Sequence, residues 1–97
     1  MKVIWTELAV EKLEEHADYI ALDKPVAALK WAESIQKSVN KLANFPKSGR
    51  KVPEIKRDDI RELIEGNYRI IYRIEQTRIS ILTIRHTKQL LDEDSIL

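Results

Sequence analysis

The run Ile60 to Arg85, IRELIEGNYRIIYRIEQTRISILTIR, is dense in β-branched and aromatic residues and is broken only at Gly66–Asn67 and Gln76–Thr77. Breaks this short leave only antiparallel neighbours, so the run predicts three strands in a meander, over 60–65, 68–75 and 78–85. With those turns, Glu65 faces Tyr68, Leu63 faces Ile70 and Arg61 faces Tyr72. Beyond the second turn, Ile74 faces Ile79 and Tyr72 faces Ile81. Side chains alternate along a strand and paired residues share a face. One face therefore collects Leu63, Ile70, Tyr72, Ile74, Ile79 and Ile81, and it must be covered.

The cover is encoded upstream. Lys2–Trp5 reads as a short strand, and Thr6 is placed to cap a helix over 7–22. In that helix Leu8, Leu13, Ala17, Ile20 and Ala21 recur at helical spacing. Pro25, tolerated in a first helical turn, opens a second helix, where Ala28, Ala32, Ile35, Val39 and Leu42 form one stripe. So short a connection makes the two helices an antiparallel hairpin. Asn44–Pro53, punctuated by Pro46, Gly49 and Pro53, is a loop. The predicted fold class is α+β: strand, helix hairpin, then antiparallel meander, with the helices on one sheet face. We expect a single domain over 1–97: strand 1–6, helix hairpin 7–45, loop 46–59, meander 60–85 and a tail 86–97. Past His86 the tail has room for one helical turn.

The opposite sheet face collects Ile64, Arg69, Ile71, Arg73, Ser80 and Leu82, an apolar floor bearing guanidinium groups. Two readings follow. In one, Arg69 and Arg73 pair across strands with Glu62 and Glu75, as surface charges often do. In the other, they stand free over an open groove and receive an anion. Arg61 falls instead on the helix side near Tyr72, where burial would demand a carboxylate such as Glu54 or a helix acid.

Charge distribution bears on the second reading. Residues 1–46 hold six Lys and no Arg against seven acids, whereas 47–88 hold eleven basic residues against six acids. All seven arginines lie at or after Arg50, and Arg favours planar, bidentate contact with carboxylate or phosphate. The anion-seeking surface belongs to the second half. The absence of Cys excludes disulfides and thiolate metal sites and fits a reducing cytoplasm. Charges interrupt every apolar run well short of a signal sequence or membrane span, so a soluble intracellular chain is expected.

Specific chemistry is sparse. His16 lies within a helix and His86 follows the last strand; two histidines without clustered carboxylates make no metal site, and no cofactor is expected. Gly49 and Gly66, the only glycines, sit in turns, so no phosphate-cradling loop exists. Trp5 and Trp31 read as packing residues, as do Tyr68 and Tyr72. Glu62 and Glu65 read as ion-pair partners.

Taken in order, the opening strand, DKPVAALKWAESIQKSVNKLANFPKSGR, VPEI, IREL, NYRIIYRI and ILTIRHTKQLL resemble the ParE/RelE superfamily of toxins from bacterial type II toxin–antitoxin systems. The resemblance implies a curved sheet with the helix hairpin on its convex side, and an antitoxin partner that wraps the toxin. RelE-like members are ribosome-dependent ribonucleases. In that branch Arg69 would sit against the scissile phosphate and His86 would be the catalytic acid, with ribosome and mRNA as partners. ParE-like members act on DNA gyrase. The strand IRELIE lacks the lysine pair of certain RelE enzymes, and no terminal tyrosine follows His86, which places the chain nearer the ParE and plasmid-stabilisation branch. There Arg61, Arg69, Arg73, Arg85 and Lys88 would brace the working surface or meet an acidic antitoxin segment. A third possibility is a non-toxic module that only titrates antitoxin. If Arg69 lies in the site, Arg69→Ala should lower toxicity more than stability.

Overall fold

Thr6 joins the two layers of the molecule. Its hydroxyl accepts the Ala9 N–H at 3.2 Å, capping the first helix, and donates to the Ile81 carbonyl at 2.7 Å. The structure, a computed structural model, describes residues 1–89, 91, 92 and 94. Strand β1 (Lys2–Trp5) leads into α1 (Glu7–Ala21) and α2 (Pro25–Asn40), which closes in a 3₁₀ turn at Lys41–Ala43. Then come β2 (Arg50–Lys51), β3 (Ile60–Glu65), β4 (Tyr68–Ile74) and β5 (Arg78–His86). Strand order is β1-β5-β4-β3-β2, with β1 parallel to β5 and every other pair antiparallel.

The meander forms in the predicted register. Arg61 pairs with Tyr72, Leu63 with Ile70, Tyr72 with Ile81 and Ile74 with Ile79. Gly66, at φ 59°, occupies the left-handed position that a tight hairpin asks of its first central residue. The second turn closes with the Glu75 N–H donating to the Arg78 carbonyl at 2.9 Å. Two features escape the sequence reading. One is β2, a two-residue strand inside the predicted loop. The other is a bulge: Ile71 faces Thr83 while Tyr72 faces Ile81, so Leu82 is an extra residue in β5.

Helices and sheet enclose a core of Ala9, Ile35, Val39, Leu42, Ile70, Tyr72, Ile79, Ile81 and Ile84, all fully buried. Burying each of the large members contributes about 1.5–3 kcal/mol. Trp31 packs on Tyr68 with ring centroids 4.8 Å apart, and His16 meets Tyr68 at 5.0 Å. Both tryptophans pack against the core as the sequence suggests.

The other face departs from expectation. The predicted floor is no open groove, because Val52, Ile55 and Leu91 pack against Ile60, Ile71 and Leu82 in a second buried cluster. A floor with that much aliphatic surface gains more from being covered by the chain's own loop than from facing water. The anticipated helical turn beyond His86 falls partly outside the described residues. What is described there is a turn closed by the Gln89 N–H on the His86 carbonyl, at 2.9 Å. Among the described residues no helix is long and apolar enough to cross a membrane.

Candidate functional site

Alternation along β4 sends Tyr68, Ile70 and Tyr72 into the helix-side core and leaves Arg69, Ile71 and Arg73 on the second face. Arg69 is only 5% exposed. Its Nε donates to Glu62 Oε1 at 2.6 Å, and its Nη1 and Nη2 donate to Glu54 Oε2 and Oε1 at 2.7 and 2.8 Å. Nη1 also reaches the Gln89 carbonyl at 3.3 Å. Glu62, itself buried, gives its other oxygen to Arg50 Nε at 2.6 Å. Glu54 Oε2 accepts the Leu91 N–H at 3.2 Å. One guanidinium thus ties together β2, the 52–59 loop, β3, β4 and the start of the tail.

The electrostatics follow from that geometry. The Arg69 hydrogen bonds hold the Glu54 carboxyl near 2 against the usual 4.5, burial opposing them. Arg69 in turn is raised, first by Glu54, with burial opposing and Glu62 adding to the rise. Arg69 and Glu62 are tolerated at their depth because nearly every donor and acceptor is met. Glu62 does pair with Arg69, as one sequence reading held. Arg73 does not pair with Glu75: its Nε lies 3.4 Å from Asp59 Oδ2, and Asp59 is also gripped by Arg57 at 3.0 and 2.7 Å. Arg57 holds the Asp59 carboxyl below its ordinary value. Glu75 is taken by Arg78 and by the Ser80 hydroxyl.

Among the described residues Arg61 forms no ion pair with a carboxylate, contrary to expectation. Its Nη1 donates to the Gly49 carbonyl at 3.0 Å and its buried Nε has no hydrogen-bond partner. Gly49 itself is fixed by Tyr72, whose hydroxyl accepts the Gly49 N–H at 2.9 Å and donates to the Pro46 carbonyl at 2.7 Å. Burial raises the Tyr72 phenol, with the Gly49 hydrogen bond opposing. This clamp holds the loop against the end of the core.

Arg85 stands directly across from Arg69 on β5, half-buried, with its Nε enclosed and without a hydrogen-bond partner among the described residues. Lys88 is exposed in the turn beyond, and its N–H donates to His86 Nδ1 at 3.2 Å. His86 pairs with Tyr68, and their rings meet edge-on at 5.4 Å on the helix side of the sheet. Arg69 and His86 therefore lie on opposite faces, and no single phosphate is flanked by both. The bulge is the reason. Threaded as an uninterrupted pleat from Ile79 and Ile81, the same residues would place His86 on the face of Arg69.

Sequence reasoning missed Glu54 as the principal partner of Arg69. The only available signal was Val52-Pro-Glu-Ile55, whose apolar residues flank an acid at the spacing of a segment folded back onto a floor. It also missed that Tyr72, assigned to packing, carries the loop clamp.

Three comparisons bear on this arrangement. A family model described as the ParE toxin of the type II toxin–antitoxin system parDE matches residues 3–91. The chain is 38% identical over 90 residues to protein Y4kP of Sinorhizobium fredii, covering 91% of this chain and 90% of that protein. It is 31% identical over 90 residues to Toxin RelE2 of Caulobacter vibrioides, covering 92% and 98%. In three dimensions it resembles the chromosomal ParDE system of P. aeruginosa, with TM-score 0.77, 25% identity and coverage of 91% and 97%. The RelBE2 toxin–antitoxin complex of Mycobacterium tuberculosis shares the fold at TM-score 0.55, with 23% identity and 88% of each chain covered.

Proposed function

The chain belongs to the ParE/RelE superfamily of type II toxin–antitoxin toxins, and from that premise we propose that it is a ParE-like toxin that arrests growth through DNA gyrase. A cognate antitoxin neutralises it, and both partners are met in the cytoplasm. The observation that carries the ParE-like reading is the engagement of Arg69 by the chain's own Glu54 and Glu62.

Cleaving RNA at its 2′-hydroxyl requires a cation on the scissile phosphate and an acid for the leaving oxygen, both on one side of one site. Here the guanidinium proposed for the phosphate is saturated by two carboxylates. The histidine proposed as acid is on the far side of the sheet. A toxin that works by binding a protein target needs neither arrangement, so the buried Arg69 network acts as a brace for its surface.

Expression of the isolated chain tests this directly. Gyrase–DNA cleavage complexes and filamentation are the expected result. Messenger RNA cleaved at ribosomes would instead establish the nuclease, and undisturbed growth would leave a module that only titrates antitoxin.

A further inference from the structure

The only phenylalanine of the chain stands outside the core. Phe45 is 64% exposed, yet its backbone is fixed on both sides. Its N–H donates to the Lys41 carbonyl at 3.0 Å and its carbonyl accepts the Ser48 N–H at 3.1 Å. The residues that follow are held by the Tyr72 clamp on Pro46 and Gly49. A large ring presented on a braced loop loses little freedom when a partner covers it, which is the property of an interface anchor. Beside it opens a cleft of about 510 Å³ lined by Met1, Phe45, Pro46, Lys47, Ser48 and Ile74.

The segment that carries Phe45 holds charges of one sign. From Ser34 to Pro53 there is no Asp or Glu, but there are five cations, Lys37, Lys41, Lys47, Arg50 and Lys51, all exposed. Arg50 and Lys51 are paired with Glu62 and Asp58. Lys37, Lys41 and Lys47 make no ion pair among the described residues. An apolar cleft lined by Lys47, with Lys37 and Lys41 on the helix end that leads to it, complements an acidic segment carrying an apolar side chain.

We propose that Phe45, its cleft and Lys37, Lys41 and Lys47 form a docking surface for an acidic segment of the antitoxin, with one apolar side chain of that segment seated beside Phe45. This rests on the toxin–antitoxin reading above. A polypeptide fits better than a nucleic acid. The patch offers one ring rather than a row of stacking platforms, and its unpaired cations are all Lys.

The test titrates two variants, Phe45→Glu and the triple change of Lys37, Lys41 and Lys47 to Glu, with the cognate antitoxin. Phe45 is exposed, so its variant should keep the wild-type melting midpoint. Each variant should bind at least about tenfold more weakly, and the lysine variant should lose most of the salt dependence of binding. Unchanged affinity of Phe45→Glu overturns the proposal. So does loss of binding to a single-stranded RNA oligonucleotide with antitoxin affinity intact. If the wild-type chain binds no antitoxin at all, the toxin–antitoxin reading falls, and this surface with it.

Discussion

Glu54 and Arg69 face each other in a two-pronged contact, each guanidinium nitrogen on its own carboxylate oxygen, at 2.7 and 2.8 Å. Because Glu54 comes from the loop and Arg69 from β4, this contact seats the loop on the sheet. A carboxyl whose folded pKa of about 2 lies below its usual 4.5 stabilises the fold above about pH 4.5 and loses that contribution as pH falls toward 2. The urea midpoint of the wild-type chain should therefore drop across that window. Glu54→Gln should be less stable at pH 7 and converge on wild type near pH 2; parallel curves at all pH values would show that the contact stores no stability.

Removing the guanidinium should be worse. Arg69→Ala leaves Glu62, fully enclosed, with only the exposed Arg50 as counter-charge, and such uncompensated burial costs about 3–5 kcal/mol. This reverses the sequence-based expectation that toxicity would suffer more than stability. Combining Arg69→Met with Glu62→Leu should restore much of the loss, because the charge and its partner leave together. Chemical denaturation of the three variants measures it.

Gly49 has no room for a side chain. A Cβ there would lie 2.5 Å from the Glu62 carbonyl oxygen and 2.6 Å from the Tyr72 hydroxyl. Gly49→Ala should destabilise by about 1–3 kcal/mol. Tyr72→Phe should cost a similar amount, about 1–3 kcal/mol, by orphaning the Gly49 N–H and the Pro46 carbonyl. Thermal melts of both, and of the double variant, should show less than additive loss, since both act on one clamp.

His86 separates the two branches of the superfamily. Its ring packs on Tyr68 and its Nδ1 accepts a backbone N–H, so His86→Gln keeps an acceptor and discards an imidazole acid. Growth arrest by this variant should match wild type at equal expression. Abolished arrest with intact fold would return His86 to a catalytic role.

What the sequence disclosed, and what it hid, divide along a physical line. Register and facing were legible because alternation over β3 to β5 and the turn residues Gly66–Asn67 leave one pairing that buries Leu63, Ile70, Tyr72 and Ile79 together. The helix hairpin was legible from the stripe Ala28, Ile35, Val39 and Leu42. The cover of the second face was not, because Val52, Ile55 and Leu91 lie in segments with no period, and only the tertiary fold brings them over Ile71. The candidate site suffered most. That Arg69 sits on the second face follows from parity, but that Glu54 reaches back to it does not follow from any local pattern. The bulge did leave a mark that the even register passed over: in ISILTI the alternation of Ile79-Ser80-Ile81 breaks at Leu82 and resumes in Thr83-Ile84 with the opposite phase.

That single supernumerary residue in β5 lets two differently phased halves of one strand both send their isoleucines, Ile79 and Ile81 before it and Ile84 after it, inward. Threaded as an uninterrupted pleat, the same residues would turn Thr83 and Arg85 into the oily interior and expel Ile84, whereas excising Leu82 alone would straighten the strand and leave every later side chain on its present side. Conversely, a kindred chain built with the uninterrupted pleat and a matching swap of side chains would carry an imidazole on the side where this one carries a guanidinium.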